Sequence, residues 1–298
     1  KRNIVALFVS IMEIFELRYF LEVAKHENIH RASERLLVSP GSLSKAITRI
    51  EDELKTKLFS RDGRNIRLTD QGVLLKLRAS QIVQLEESAR IEIAGPHGQI
   101  QVVIAGPEVL LAKVGMELSE NLIKRHPGAT FEFQSCDDDA ATEKIASGEA
   151  HLALVTGDVP SGLTAKTMAE AKFVTVAGPG HPLYTAAKQK RAVPVEDVLK
   201  HPFVSPSHPI LGRVGIKQSL DGWRDDQFTR KVAYLTTNLG LLGRLVSTGK
   251  ALAYLPDYYA AQLGVLPIKV TGCPYSCVQK IKLVARSPKD IGWINQLF

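Results

Sequence analysis

"NIHRASERLLVSPGSLSKAITRIEDEL", from Asn28 to Leu54, places two short helical patterns on either side of Val38-Ser39-Pro40-Gly41. Asn28 is a good N-cap for the first, with Ala32, Leu36 and Leu37 on its buried side. The second, from about Ser42 to Lys55, buries Leu43, Ile47, Ile50 and Leu54 at i, i+4, i+7 and i+11. Its other face carries Ser44, Lys45, Thr48, Arg49 and Asp52. A tetrapeptide is too short for a domain linker, so the two helices meet at a fixed angle. A short helix that presents hydroxyls and cations in this way suits a groove of DNA, which is wide enough to admit a helix. An ordinary helical corner with a solvated outer face is the alternative.

The flanking sequence favours the first reading. Upstream, Phe15, Leu17, Phe20, Leu21 and Ala24 recur at helical spacing over Met12 to Lys25. Downstream, "KLFSRDGRNIRLTDQG" reads as two short strands around Asp62-Gly63, a pair suited to a tight hairpin. Thr69 then caps a long helix reaching about Ile93, before the breaker cluster Gly95-Pro96-His97-Gly98. Leu75, Ile82 and Ala89 are seven apart on it, flanked by Leu74, Leu77, Leu85 and Ile93, as a helix–helix seam requires. Arg78 and Gln81 interrupt that seam, and a helix docked on its own domain is the competing account.

The 298-residue chain has length for about two domains, and its 45% hydrophobic and 23% charged content is that of a globular protein. Of the net charge of +7, most falls between Arg31 and Arg67, where nine Lys/Arg face five Asp/Glu. A basic excess concentrated on the helix-turn-helix and hairpin points to a polyanionic partner. Three cysteines, Cys136, Cys273 and Cys277, are too few and odd in number for a disulfide framework, which implies a reducing, cytoplasmic setting. "KRNIVALFVSIM" begins like an export signal, but Glu13 ends the apolar run without a cleavage site. Residues 1–11 therefore read as an extension, non-native or upstream of the folded chain.

After Gly98 the pattern changes to alternating strands and helices, which implies a parallel sheet with right-handed crossovers. "QIQVVIAG", "ATFEFQS" and "AHLALVTG" form a first set of strands, with a helix over 108–125 between the first two. "KFVTVAGPG", "HPFVSPS", "KVAYLTT" and "ALAYLP" form a second, with helices near 212–222 and 239–248. "CVQKIKLVARS" returns to the first set. The expected fold is α/β: a winged helix-turn-helix over 12–68, a linker helix over 69–95 and a two-subdomain α/β module over 98–298. Within that module, subdomain I takes about 98–171 and 266–298, and subdomain II about 172–265.

The N-terminal motifs resemble those of the LysR-type transcriptional regulators: "FELRYFLEVA" (15–24), "RASERL" (31–36), "VS" (38–39), "LSKAITRIEDEL" (43–54), "LFSRDGR" (58–64) and "LTDQG" (68–72). "HPGATFEF", "IASGEAHLAL" and "LVSTGKALAYLP" are similar, more loosely, to the family's effector-binding domain, so the likeness covers nearly everything after residue 11. The resemblance implies a periplasmic-binding-protein-like effector domain, a double-stranded DNA partner carrying an interrupted inverted repeat, and a homodimer or homotetramer joined through Leu75, Ile82, Leu85 and Ala89. It also implies a small-molecule effector between the subdomains. The DNA-binding set is Arg31, Ser39, Pro40, Ser42, Ser44, Lys45, Thr48, Arg49, Arg61 and Arg64. One departure matters: where the family usually has Gln-Pro, this chain has Pro40-Gly41. Pro is tolerated at a helix start, but it has no side-chain donor for a base, so base reading shifts onto Ser42, Ser44, Lys45 and Arg49.

Other chemistries find little support. Asp137-Asp138-Asp139 lacks the spacing of a calcium loop and reads as a solvated helix start. Cys273 and Cys277 are not in C-x-x-C spacing, and neither a zinc-protease pair nor a nucleophile elbow is present. No enzyme, metal or cofactor is expected. A solute-binding protein is the alternative function, and residues 28–67 argue against it. The candidate effector residues are Gly106, Pro107 and Glu108 after the first strand, Ser135 and Cys136 after the second, Ser205 and Ser207, and Thr237-Asn238 at a helix start. Because helix N-termini and hydroxyls favour negative charge, the expected effector is a weak organic anion, a small monocarboxylate with an apolar body, with Glu108 turned away from the crevice.

Overall fold

A computed structural model describes residues 12–62, 65–94, 100–211 and 221–298. The chain divides into two compact units: residues up to 98 with 146–149 and 289–297, and residues 99–145 and 150–288 with 298.

In the first unit, helix α1 (Ile14–His26) starts with a capping box: Glu13 accepts from the third helical N–H, and the Glu16 carboxylate returns the contact to the Glu13 N–H. Asn28 Oδ1 accepts from the Arg31 N–H at 3.0 Å and opens α2 (Ile29–Leu36). Helix α3 (Pro40–Leu54) begins two residues earlier than the apolar spacing suggests, because Ser39 caps it and Pro40 takes the first helical position. Phe20, Leu43, Ile50 and Leu58 are fully enclosed where these helices meet. Each such side chain contributes about 1.5–3 kcal/mol on burial.

Two expected core positions lie outside this core. Leu37, expected on the buried side of α2, is 92% exposed. It is the left-handed residue that ends the helix, at φ 54°, so its side chain points away from the face that Ala32 buries. Leu54 is also exposed, since it is the last residue of α3.

Strands β1 (Phe59–Asp62) and β2 (Asn65–Leu68) pair antiparallel as the hairpin, with Phe59 opposite Leu68. Thr69 Oγ1 accepts from the Gly72 N–H and caps the 25-residue helix α4 (Asp70–Ala94). The expected turn residue Gly63 and the candidate Arg64 lie outside the described residues, as do residues 1–11, the 95–98 breaker cluster and most of the helix expected near 212–222.

The second unit is built on β3 (Gln101–Gly106), β4 (Thr130–Ser135), β5 (Leu152–Val155) and β6 (Thr164–Ala177). Between β3 and β4, α5 (Glu108–Leu110) runs through a π turn at Leu111–Gly115 into α6 (Met116–Arg125), and α7 (Asp138–Ser147) joins β4 to β5. Strand β3 pairs parallel with both β4 and β5, as right-handed βαβ crossovers require. The subdomain boundary expected near residue 171 falls inside β6, which runs unbroken for 14 residues and starts earlier than the strand expected from Lys172.

Around β6 follow α8 (Tyr184–Lys188), β7 (Ala192–Pro194), α9 (Val195–Val198), β8 (Pro202–Pro206), β9 (Lys231–Thr236), α10 (Leu239–Ser247), β10 (Ala253–Pro256) and α11 (Asp257–Gln262). The short β11 (Leu266–Pro267) and β12 (Lys269–Thr271) precede β13 (Val278–Ala285), and α12 (Gly292–Asn295) lies near the end. The main sheet runs β10-β6-β13-β5-β3-β4, so β6 and β13 carry it from one half of the unit to the other. Beside β8, which pairs parallel with β9, Arg230 is fully enclosed. It is held 2.7 Å from Asp221 and 2.7 Å from Asp225, with its guanidinium over the Trp223 and Phe203 rings.

Candidate functional site

The outward face of α3 is formed by Ser44, Lys45, Thr48 and Arg49, all exposed. At its start the Ser39 hydroxyl accepts from the Ser42 N–H at 3.1 Å and meets the Ser42 hydroxyl at 2.9 Å. Both hydroxyls thus serve the cap, leaving Ser44, Lys45 and Thr48 as the side chains most available to a partner. Arg31 on α2 and Arg61 on β1 are exposed as well, and Pro40 stands exposed at the helix start. Arg67 on β2, absent from the candidate set, is also exposed.

Arg49 is placed differently from expectation. Its Nε lies 3.0 Å from Oε1 of the buried Glu16, and a second nitrogen is 3.5 Å from Glu13. Arg49 therefore ties α3 to the start of α1 rather than reaching outward freely with Lys45. At the other end of α3, buried Glu51 accepts from the Leu58 N–H at 2.9 Å and pairs with Lys57 at 2.5 Å. This carboxylate fastens the helix to the root of the hairpin. Burying two glutamates is costly unless each is paired, so these contacts fix the angle at which the helix and the hairpin are presented. Glu16 and Glu51 look like ordinary polar positions in the sequence, and only the packing shows their role.

Helix α4 turns Ala79 and Val83 into the core of its own unit, with Leu75 packed against the same core. Leu75 thus belongs to the inner face, which corrects the expected seam. Leu74, Ile82, Leu85, Ala89 and Ile93 lie on the exposed face. Two glutamates of α4, Glu86 and Glu87, hold Arg18 of α1 at 2.8 and 2.6 Å.

In the second unit a cleft of about 430 Å³ opens at the ends of β3, β4, β8 and β9. Pro107, Glu108, Ser135, Cys136, Asp137 and Ala140 line one side. Pro206, His208, Pro209, Ile210, Thr236, Thr237 and Leu239 line the other. Five of the nine expected effector residues are brought together here: Pro107, Glu108, Ser135, Cys136 and Thr237. The other four do not line it. Gly106 lies beside the Leu154 carbonyl, which a Cβ would approach to 2.4 Å, so it is glycine for packing. Ser205 is buried in β8, and the Ser207 N–H donates to the Thr236 carbonyl at 2.8 Å. The Asn238 side chain accepts from the Leu241 N–H at 2.8 Å and is the N-cap of α10.

The charges of the cleft also differ from expectation. Glu108 is among the residues that line it. Burial, with the Glu108 carboxylate adding to it, raises the Tyr259 phenol, which donates to the Leu239 carbonyl at 3.1 Å. Asp137 brings a second carboxylate, one oxygen of which caps the Ala140 N–H at 2.8 Å. Asp138, expected at a solvated helix start, does open α7 but is buried and accepts from the Thr156 and Gly157 N–H groups at 2.9 and 2.7 Å. Burial raises its carboxyl. Burial likewise pushes the Cys136 thiol up, away from a reactive thiolate. A bare monocarboxylate would therefore meet two carboxylates, against the expected anion preference. His208, Pro209, Ile210, Thr236 and Leu239 were not singled out in the sequence. They follow the carboxyl ends of β8 and β9, where ligands of open α/β sheets bind.

Among the described residues there is no group of three or more His, Cys, Asp or Glu placed to hold a metal ion, and no helix long and apolar enough to cross a membrane. A winged helix-turn-helix in one chain with an α/β module that carries a ligand-sized cleft defines a ligand-responsive DNA-binding regulator. The model for bacterial regulatory helix-turn-helix proteins of the lysR family matches residues 14–73, and that for the LysR substrate binding domain matches residues 95–287. The chain belongs to the LysR family and is a DNA-binding transcriptional regulator of that type.

The transcriptional dual regulator GltC of Bacillus subtilis is 28% identical over 252 residues, covering 83% of this chain and 81% of that protein. The regulator IlvY of Escherichia coli is 25% identical over 254 residues, covering 83% and 82%. Among solved structures, a full-length OxyR variant from Pseudomonas aeruginosa superposes with a TM-score of 0.65 at 17% identity, covering 96% of this chain and 92% of that one, which speaks to fold alone.

Proposed function

We propose that this regulator reads an interrupted inverted repeat by placing α3 in the major groove, with Ser44, Lys45 and Thr48 toward base edges. Arg31, Arg61 and Arg64 would contact phosphates. The observation that carries this is the division of labour on α3: Arg49 and Glu51 anchor the helix, while Ser44, Lys45 and Thr48 stay exposed on one face. Phosphate contacts set register and affinity, and base contacts set sequence preference. The exposed apolar face of α4, centred on Ile82 and Leu85, supports a homo-oligomer that places two readers on one duplex, where each raises the effective concentration of the other. A small-molecule effector in the cleft would alter the spacing or bend of the bound sites. A chromosomal DNA partner supports a cytoplasmic regulator. Footprinting on the DNA adjoining the gene tests the reading. Two protected half-sites separated by a multiple of about one helical turn are expected, and a single uninterrupted protected site would contradict it.

A further inference from the structure

Resting on the reading of the cleft as the effector site, we propose that its ligand is a zwitterion: a small α-amino acid with an uncharged, mostly apolar side chain, its ammonium group held between Glu108 and Asp137. The two carboxylates line the same side of one cleft. Asp137 uses one carboxylate oxygen to cap Ala140, which leaves its charge and its second oxygen for a cation. No Lys or Arg lines the cleft among the described residues. A ligand ammonium that enters the cleft is attracted by both carboxylates and can donate charge-assisted hydrogen bonds to them.

The opposite wall suits a carboxylate. Helix α10 is nine residues long and starts at the cleft with Leu239. Asn238 caps only the Leu241 N–H, so the first N–H groups of the helix, at Leu239 and Gly240, have no partner within it. With the Thr237 hydroxyl beside them, they form a donor set for an anionic group. Pro206, Pro209 and Ile210 line the cleft as well and favour an apolar body. A ligand with a cation at one end, an anion at the other and an apolar side chain matches all three surfaces, whereas a monocarboxylate or a simple amine matches only two.

Calorimetry on the full-length protein tests this with the proteinogenic α-amino acids as probes, each compared with its N-acetyl derivative and with the carboxylic acid that lacks the amino group. At least one amino acid of apolar side chain should bind tenfold or more tightly than both of its counterparts. Glu108→Gln and Asp137→Asn should each weaken that binding about tenfold. Asn retains the oxygen that caps Ala140, so the second variant removes the charge and keeps the helix start. The proposal is overturned if no amino acid binds, if the acetylated or deaminated compounds bind as tightly, or if both variants keep full affinity. A Thr237→Trp variant separates the two levels of the argument. If a deaminated acid is the preferred ligand and Thr237→Trp abolishes its binding, the cleft is the effector site and only the zwitterion assignment fails. If Thr237→Trp leaves all binding intact, the cleft itself is not the site.

Discussion

Arg49 on the exposed face of α3 lies 3.0 Å from the buried carboxylate of Glu16 on α1. A residue that sequence spacing places among base-reading groups is thus committed to holding the reading helix in place. Arg49→Ala leaves Glu16 enclosed without its cation. We expect it to destabilise the N-terminal unit by about 1–3 kcal/mol, less than the roughly 3–5 kcal/mol of a fully buried pair because Arg49 itself is half-exposed. Chemical denaturation checks this. Arg49→Ala at wild-type stability with lost sequence preference would make Arg49 a reader instead.

Leu37 gives a prediction of opposite sign. It ends α2 at φ 54° with its side chain in solvent. An L-residue in this conformation costs roughly 1–2 kcal/mol, and glycine removes the strain without giving up burial. Part of the gain is offset by the greater freedom of glycine in the unfolded chain. Leu37→Gly should therefore raise stability by about 0.5–1 kcal/mol, seen as a higher melting temperature. A lower one would show that the exposed leucine makes contacts of its own.

The pH dependence of the second unit should carry the signature of His181. It is buried, its Nδ1 accepts from the Leu183 N–H at 3.1 Å, and its ring meets that of His201 edge-on. Burial, aided by His201, lowers its pKa from 6.5 to about 4. Between those values the unfolded chain binds a proton that the folded chain does not, so stability falls as the pH drops from about 6.5 toward 4 and is complete above 6.5. His181→Gln should show a smaller loss of unfolding free energy between pH 7 and pH 4.5 than wild type. An equal loss would assign the acid sensitivity to other groups.

How much of this was legible in the sequence follows from the range of the interactions. The helix-turn-helix, the hairpin and α4 were readable because the periodicity of Leu43, Ile47 and Ile50 and the caps at Asn28 and Thr69 are local signals. The cleft was half readable, since Pro107, Glu108, Ser135, Cys136 and Thr237 each follow a strand or open a helix. Asn238 is the N-cap of α10, and a capping side chain and a ligand-binding one have the same appearance in sequence. The pairing of Arg49 with Glu16 and the meeting of Glu108 with Asp137 in one cleft depend on tertiary packing, which no local pattern encodes.

Assembly makes a separate prediction. Ile82 and Leu85 are exposed on α4, and the account covers them with a second copy. Ile82→Asp would put an unpaired carboxylate into that seam and should shift the protein toward monomer. Mass measurement in solution reads this directly, and an unchanged oligomer would move the association elsewhere.

Base reading by α3 is tested most directly at Lys45. Fluorescence anisotropy of the full-length protein at fixed salt compares wild type, Lys45→Ala and Arg61→Ala on the footprinted operator and on a random duplex. Lys45→Ala should lose about 1–3 kcal/mol, roughly fivefold to 150-fold, on the operator and little on the random duplex. Arg61→Ala should weaken both alike and flatten the salt dependence. Equal losses on both duplexes for Lys45→Ala, or none on either, would contradict base reading by α3.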